Sequence, residues 1–202
     1  VYGSIDDRKT NFSKQDLDKI LKNIYETSFF KNVSVEIKDQ FLVINLEEYP
    51  LINQLVLVGE KANRIKDLII KNIKSKEKSS FIQNNLRDDI NIIKYLYSTI
   101  GYNFAEVNAK VKKIDSKNLD LIFEIDRGEV TRISKISFLG DKKIKEKRLR
   151  DIIASEENKF WKFITRNTRF NENLVNLDKR LLTNYYKSIG YYDVEVTSSS
   201  VQ

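Results

Sequence analysis

A tyrosine-centred pattern occurs three times in this chain: Tyr25-Glu-Thr-Ser-Phe-Phe-Lys-Asn-Val33, Tyr97-Ser-Thr-Ile-Gly-Tyr-Asn-Phe-Ala105 and Tyr186-Lys-Ser-Ile-Gly-Tyr-Tyr-Asp-Val194. The tyrosines lie 72 and 89 residues apart. Recurrence at such a period signals one small supersecondary unit used in tandem, each copy burying its own apolar stripes. A second signature precedes two of the copies, as Ile52-Asn-Gln-Leu-Val-Leu-Val-Gly59-Glu-Lys61 and Ile133-Ser-Lys-Ile-Ser-Phe-Leu-Gly140-Asp-Lys142.

Each signature predicts an element. Gln54 to Val58 and Lys135 to Leu139 are rich in β-branched and aromatic side chains and run to a glycine, the mark of a strand ending in a turn. Ile65, Leu68, Ile69 and Ile73 then fall at helical spacing, as do Ile144, Leu149, Ile152 and Ile153. A second helix follows in every copy. Leu17, Ile20, Leu21 and Ile24 carry it first, then Leu86, Ile90, Ile93, Tyr97 and Ile100, then Leu174, Leu177, Leu181, Tyr185 and Ile189. Ser13-Lys-Gln-Asp16 predicts a capping box with a shorter acid. Gly101 and Gly190 stand where a left-handed residue ends a helix; the first copy has Ser28-Phe29 there, so its exit is expected to differ.

Strict alternation comes next, through Val33, Val35 and Ile37, through Ala105, Val107, Ala109 and Val111, and through Val194 and Val196. Period two with polar residues between, such as Glu36, Asn108 and Lys110, predicts a sheet covered on one side. A tight turn leads to a last strand at Phe41 to Leu46 and Leu119 to Ile125. The fold class expected is α+β, in tandem β-α-α-β-β modules, each a three-stranded sheet with two helices on one face. The copies expected are 1–49, lacking its start, 50–128, complete, and 129–202, lacking its last strand. The chain therefore reads as a fragment, joined by short connections at Glu47–Pro50 and Asp126–Glu129.

Composition removes many functions. With 0 cysteines and 0 histidines there is no disulfide framework, no catalytic triad of the usual kind and no basis for most transition-metal sites. The carboxylate pairs Asp6-Asp7, Glu47-Glu48, Asp88-Asp89 and Glu156-Glu157 are adjacent in sequence, so their side chains diverge instead of forming an acid–base pair. No phosphate-binding loop or dinucleotide fingerprint occurs. A non-enzymatic protein without cofactor or metal is expected. No stretch approaches the roughly 20 apolar residues of a spanning helix.

The net charge is +7. Two runs account for it: Lys61 to Ser80 has seven cations and two acids, and Asp141 to Arg150 six and two. Both fall on the turn and first helix of a copy. Such a face suits an anionic membrane surface or acidic partners, and equally an ordinary solvated helix in a lysine-rich chain. A nucleic-acid-binding repeat protein is the alternative from another class, but the aromatic residues fall at core-facing periods, so no nucleic acid is expected. Tyr95, Tyr97, Tyr185, Tyr186, Tyr191 and Tyr192 read as packing and sheet-capping groups at helix ends and strand starts. Phe160-Trp161 lies in an interhelical loop, where an aromatic pair either tucks over the helices or forms a docking knob.

The order of strand ending in Gly-Asp/Glu-Lys, two helices, Tyr-x-x-x-Gly-Tyr, strand, and strand ending in an acidic-Gly turn resembles the POTRA repeat. Leu119-Asp-Leu-Ile-Phe-Glu-Ile-Asp-Arg-Gly128 followed by Ile133 to Gly140 is similar to the junction between adjacent repeats in the bacterial outer membrane β-barrel assembly family. Phe160-Trp161 resembles an aromatic pair in that family's third repeat. Two-partner secretion transporters, a translocation component and organellar import pores use the same repeat and remain alternatives. Ser28 in place of glycine and the lysine-rich turn Lys74 to Ser80 depart from the pattern. The resemblance implies the periplasmic part of an outer membrane protein. Its partners would be unfolded outer membrane proteins, accessory lipoproteins of an assembly complex and periplasmic chaperones. Binding would be by β-augmentation at each copy's second strand: Val33, Val35 and Ile37; Glu106, Val107, Asn108, Ala109 and Lys110; and Tyr192, Val194, Glu195 and Val196.

Overall fold

The computed structural model describes residues 13–38, 41–140, 143–159 and 166–196. In chain order these form α1 Lys14–Glu26, β1 Phe30–Lys38, β2 Phe41–Glu48, β3 Leu51–Val58, α2 Asn63–Asn72, α3 Gln83–Thr99, β4 Glu106–Lys113, β5 Asn118–Asp126, α4 Glu146–Arg150, a 3-10 turn at Arg166–Thr168 and α5 Glu172–Ser188. The chain is α+β and built of repeated modules. β3-α2-α3-β4-β5 is one complete β-α-α-β-β copy.

The three strands of that copy are ordered β3-β5-β4, so the last strand made is the central one. Along β5, Leu119, Leu121, Phe123 and Ile125 are buried while Asn118, Asp120, Ile122 and Glu124 keep partial exposure. A central strand with this alternation belongs to a sheet covered on one face. The covering helices contribute buried Ile69 from α2 and Ile93 and Tyr97 from α3. Burying a side chain of this size is worth about 1.5–3 kcal/mol.

In the first copy, α1 opens with the expected capping box. The Ser13 hydroxyl accepts from the Asp16 N–H at 3.3 Å, and the Asp16 carboxylate accepts from the Ser13 N–H at 3.0 Å. β1 and β2 pair antiparallel from Lys38↔Phe41 through Val33↔Leu46 to Phe30↔Glu48. The helix exit is closer to the other copies than expected. Ser28 itself takes the left-handed conformation (φ 59°) that Gly101 and Gly190 take. What differs is the bond that follows. Tyr102 N–H returns to the Tyr97 carbonyl, whereas Phe29 N–H reaches only the Thr27 hydroxyl.

The third copy departs from expectation. Lys135 to Leu139 forms no strand, the first helix is only Glu146–Arg150 before a turn at Asp151 and Ile152, and Tyr192 and Asp193 lie in a turn. Val194 to Val196 have no regular structure, and Thr197 lies outside the described residues. The reason follows from the strand order of the second copy, where β5 supplies the ladder to both β3 and β4. No described segment of the third copy takes that place. A lone strand has no partner for its N–H and C=O groups.

Two compact units can be distinguished. One holds α1, β1, β2 and the chain to Val56 with Lys74–Arg87 and Ala109–Phe123; its buried apolar residues are Val33, Ile52, Leu119, Leu121 and Phe123. The other holds Leu57–Ile73, Asp88–Asn108 and the chain from Glu124; it buries Leu57, Ile69, Ile73, Ile93, Tyr97, Ala105, Val107, Ile125, Ile133 and Leu149.

Candidate strand-binding edge

An edge strand offers a row of backbone N–H and C=O groups to any chain that can pair with it. Among the described residues β4 is such a strand, with β5 as its one neighbour. Val107 is buried and Ala109 half-buried, while Glu106, Asn108 and Lys110 are exposed. The apolar positions thus hold the strand to its module and leave the polar ones in solvent. Lysine on an edge is a common guard against indiscriminate pairing. Among the described residues β1 pairs with β2 in a sheet of these two strands. There Val33 is buried, Val35 half-buried and Ile37 backbone-paired with Leu42.

The other predicted positions fare differently. Tyr192, Val194, Glu195 and Val196 form no edge, for the reason given above, and Tyr192 is 77% exposed. Phe160 and Trp161 lie outside the described residues. The tyrosines divide: Tyr97 is a core residue, whereas Tyr95 and Tyr192 project into solvent.

The opposite side of the sheet is occupied, which sequence reading missed. β3 has β5 on one flank. On the other, the interhelical segment runs alongside its first half. Ile52 N–H donates to the Ser79 carbonyl (2.9 Å), Lys78 N–H to the Ile52 carbonyl (2.7 Å) and Phe81 N–H to the Pro50 carbonyl (2.7 Å). The Glu77 carboxylate accepts from Leu55 N–H at 3.1 Å. The lysine-rich turn is therefore an ordered piece of edge structure. A glutamate at the corresponding place in both complete interhelical segments, Glu77 and Glu157, was the available signal.

The Gly-Glu-Lys and tyrosine signatures meet in one buried contact. The Tyr97 hydroxyl donates to the Glu60 carboxylate at 2.5 Å, and Ala62 N–H donates to the same carboxylate at 2.7 Å. Burial pushes the Glu60 carboxyl up, but the bonds from Tyr97, Ala62 and Lys61 and the charge of Arg127 outweigh it and leave it below the usual range. Burial and the Glu60 carboxylate push the Tyr97 phenol above its ordinary value. Gly59 (φ 94°) is required here because a Cβ would come within 2.0 Å of the Ile125 carbonyl oxygen.

The second basic run is partly engaged within its own copy. Arg148 lies 5.5 Å from the Tyr185 ring centroid and Lys143 5.6 Å from that of Tyr191. Arg150 binds the Glu157 carboxylate and the Ile136 carbonyl. This is the arrangement of a helix face folded onto its own module. Among the described residues no group of three His, Cys, Asp or Glu is placed to hold a metal ion, and no helix is long and apolar enough to cross a membrane.

Residues 50–128 and 131–202 match the POTRA family model, described as a surface antigen variable number repeat. The chain belongs to the POTRA family. Among curated relatives it is 29% identical over 186 residues to the outer membrane protein assembly factor BamA of Neisseria meningitidis serogroup B, covering 91% of this chain and 23% of that protein. It is 25% identical over 199 residues to BamA of Buchnera aphidicola, covering 95% and 31%. The chain thus spans 23% and 31% of the length of these relatives. Among solved structures, POTRA repeats 3–5 of Haemophilus influenzae BamA are similar with a TM-score of 0.44 and 18% identity, over 96% of this chain and 79% of that one. BamA from Haemophilus ducreyi lacking its first three POTRA domains is similar with a TM-score of 0.46 and 18% identity, over 71% and 25%.

Proposed function

We propose that these POTRA repeats are the periplasmic, polypeptide-binding region of an outer membrane β-barrel assembly factor, and that they are non-enzymatic. Extended segments of unfolded outer membrane proteins, delivered by periplasmic chaperones, add to the sheet edge as temporary strands. Accessory lipoproteins dock by the same chemistry. Backbone hydrogen bonds supply affinity with little demand on sequence, which suits a protein handling many unrelated clients. The observation that carries this reading is the position of β4, a paired and anchored strand with one flank open, in a chain whose relatives are outer membrane protein assembly factors. We further take the repeats to be bounded as 1–49, 50–128 and 129–202.

Successive N–H groups along a strand point to opposite flanks. One of Val107→Pro and Asn108→Pro therefore deletes an outward N–H and spares the ladder to β5. That variant keeps its circular dichroism and loses about tenfold in crosslinking of an unfolded outer membrane polypeptide to Ala109. Unchanged crosslinking in both variants contradicts the reading. Nucleic-acid binding would instead give retention on RNA or DNA that falls steeply as salt rises.

A further inference from the structure

We propose that the segment between the two helices of a repeat is a built-in edge strand that closes the first-strand flank, so that an added strand is accepted on the second-strand flank alone. The proposal deepens the strand-addition reading and rests on it for the open flank; the closure is read from hydrogen bonds.

The closure occurs twice with the same bonds. In the second repeat Ile52 exchanges its N–H and C=O with Ser79 and Lys78, Phe81 N–H reaches Pro50, and the Leu51↔Ser80 bridge joins the segments. In the third, Ile133 N–H donates to the Thr168 carbonyl, Asn158 N–H to the Ile133 carbonyl and Phe170 N–H to the Thr131 carbonyl, with an Arg132↔Arg169 bridge. The bonds persist although the chain between the two pairing residues is nine residues longer in the third repeat, Lys78–Ser79 becoming Asn158 and Thr168. Persistence across such an insertion marks the pairing as a property of the module.

Side chains extend the closure by one residue pair. Glu77 accepts from Leu55 N–H, and Glu157 accepts from Ile136 N–H at 2.9 Å. Arg150 then covers the Ile136 carbonyl and pairs with Glu157. A carboxylate bonded to an edge N–H occupies the donor that an incoming strand would need, and its charge disfavours a peptide carbonyl at the same place. Proteins suppress unwanted edge pairing by such means.

The test uses the 202-residue chain. In amide hydrogen exchange, Ile52 and Leu55 are protected, and Glu77→Ala accelerates Leu55 at least about tenfold, the scale of one charge-assisted bond, while leaving Ile52 unchanged. Glu157→Ala does the same at Ile136. Lys78→Pro deletes an N–H and forbids the φ of 60° found there. The probe is a short Val-Thr-alternating peptide with a photoreactive group. Within the second repeat of the parent chain it labels β4 and not β3, and on Lys78→Pro it labels β3 as well. If Lys78→Pro does not fold, Glu77→Ala decides by exchange. Unprotected Ile52 and Leu55, or equal labelling of β3 and β4 on the parent chain, overturns the proposal. Protected Ile52 and Leu55 with no labelling anywhere upholds the closure and overturns the strand-addition reading.

Discussion

Tyr97 and Glu60 show how far two residues can determine a module's behaviour. Tyr97→Phe leaves the Glu60 carboxylate buried without its hydroxyl donor. It should destabilise the chain by about 1–3 kcal/mol, read as a lower urea midpoint with an unchanged slope. The pH dependence has two arms. The Glu60 carboxyl is held below its unfolded value, so its contribution is complete above about pH 4.3 and is lost as pH falls through the folded pKa. The Tyr97 phenol is held above its unfolded value, so its contribution is complete below about pH 10 and is lost as pH rises past it. Tyr97→Phe removes the alkaline arm and flattens the acid one. Gly59 and Gly140 share a motif position and a left-handed backbone, yet only Gly59 faces a close neighbour. Gly59→Ala should therefore cost at least about 3 kcal/mol, and Gly140→Ala about 1–2 kcal/mol by the same urea assay. The sequence marked both as turn glycines; the Ile125 carbonyl that separates them is a tertiary neighbour that local pattern cannot show.

At the scale of elements, α1, α3, α5 and strands β1 to β5 follow from periodicity, although the stripes are covered unequally: β5 buries its whole stripe and α3 buries Ile93 and Tyr97, whereas the stripes of α1 and α5 are only half-buried. Strand order was not legible. Hydrophobic alternation along β4 and β5 is nearly the same, and what makes β5 central is where the crossover through α2 and α3 returns. The exit of α1 also escaped, since a left-handed serine leaves no glycine to read. Ser28 bears the steric cost of that conformation. Ser28→Gly should raise stability by about 1 kcal/mol, checked by thermal unfolding of the two chains. The third copy's missing strands have a plain cause as well: alternation records which face a strand would bury, but pairing needs a partner. Glu77 was visible as an acid in a lysine-rich turn and Glu157 as one of an adjacent acid pair, and only the backbone path shows that they cap Leu55 and Ile136.

For the molecule as a whole, repetition was the most informative property of the sequence. It yielded the module and, through motif order, the family resemblance that implied the candidate edge, whereas the net charge of +7 proved less telling because cations of the second run bind rings and carboxylates of their own copy. The central claim is that a POTRA repeat receives polypeptide as an added strand on β4. Amide hydrogen exchange of the whole chain, with and without an unfolded outer membrane polypeptide, tests it most directly. The account predicts new protection at alternate amides of β4, from Glu106 to Lys113, with β3 unchanged. Protection confined to the helices and the basic runs, or none on β4 while the polypeptide is bound, would contradict it.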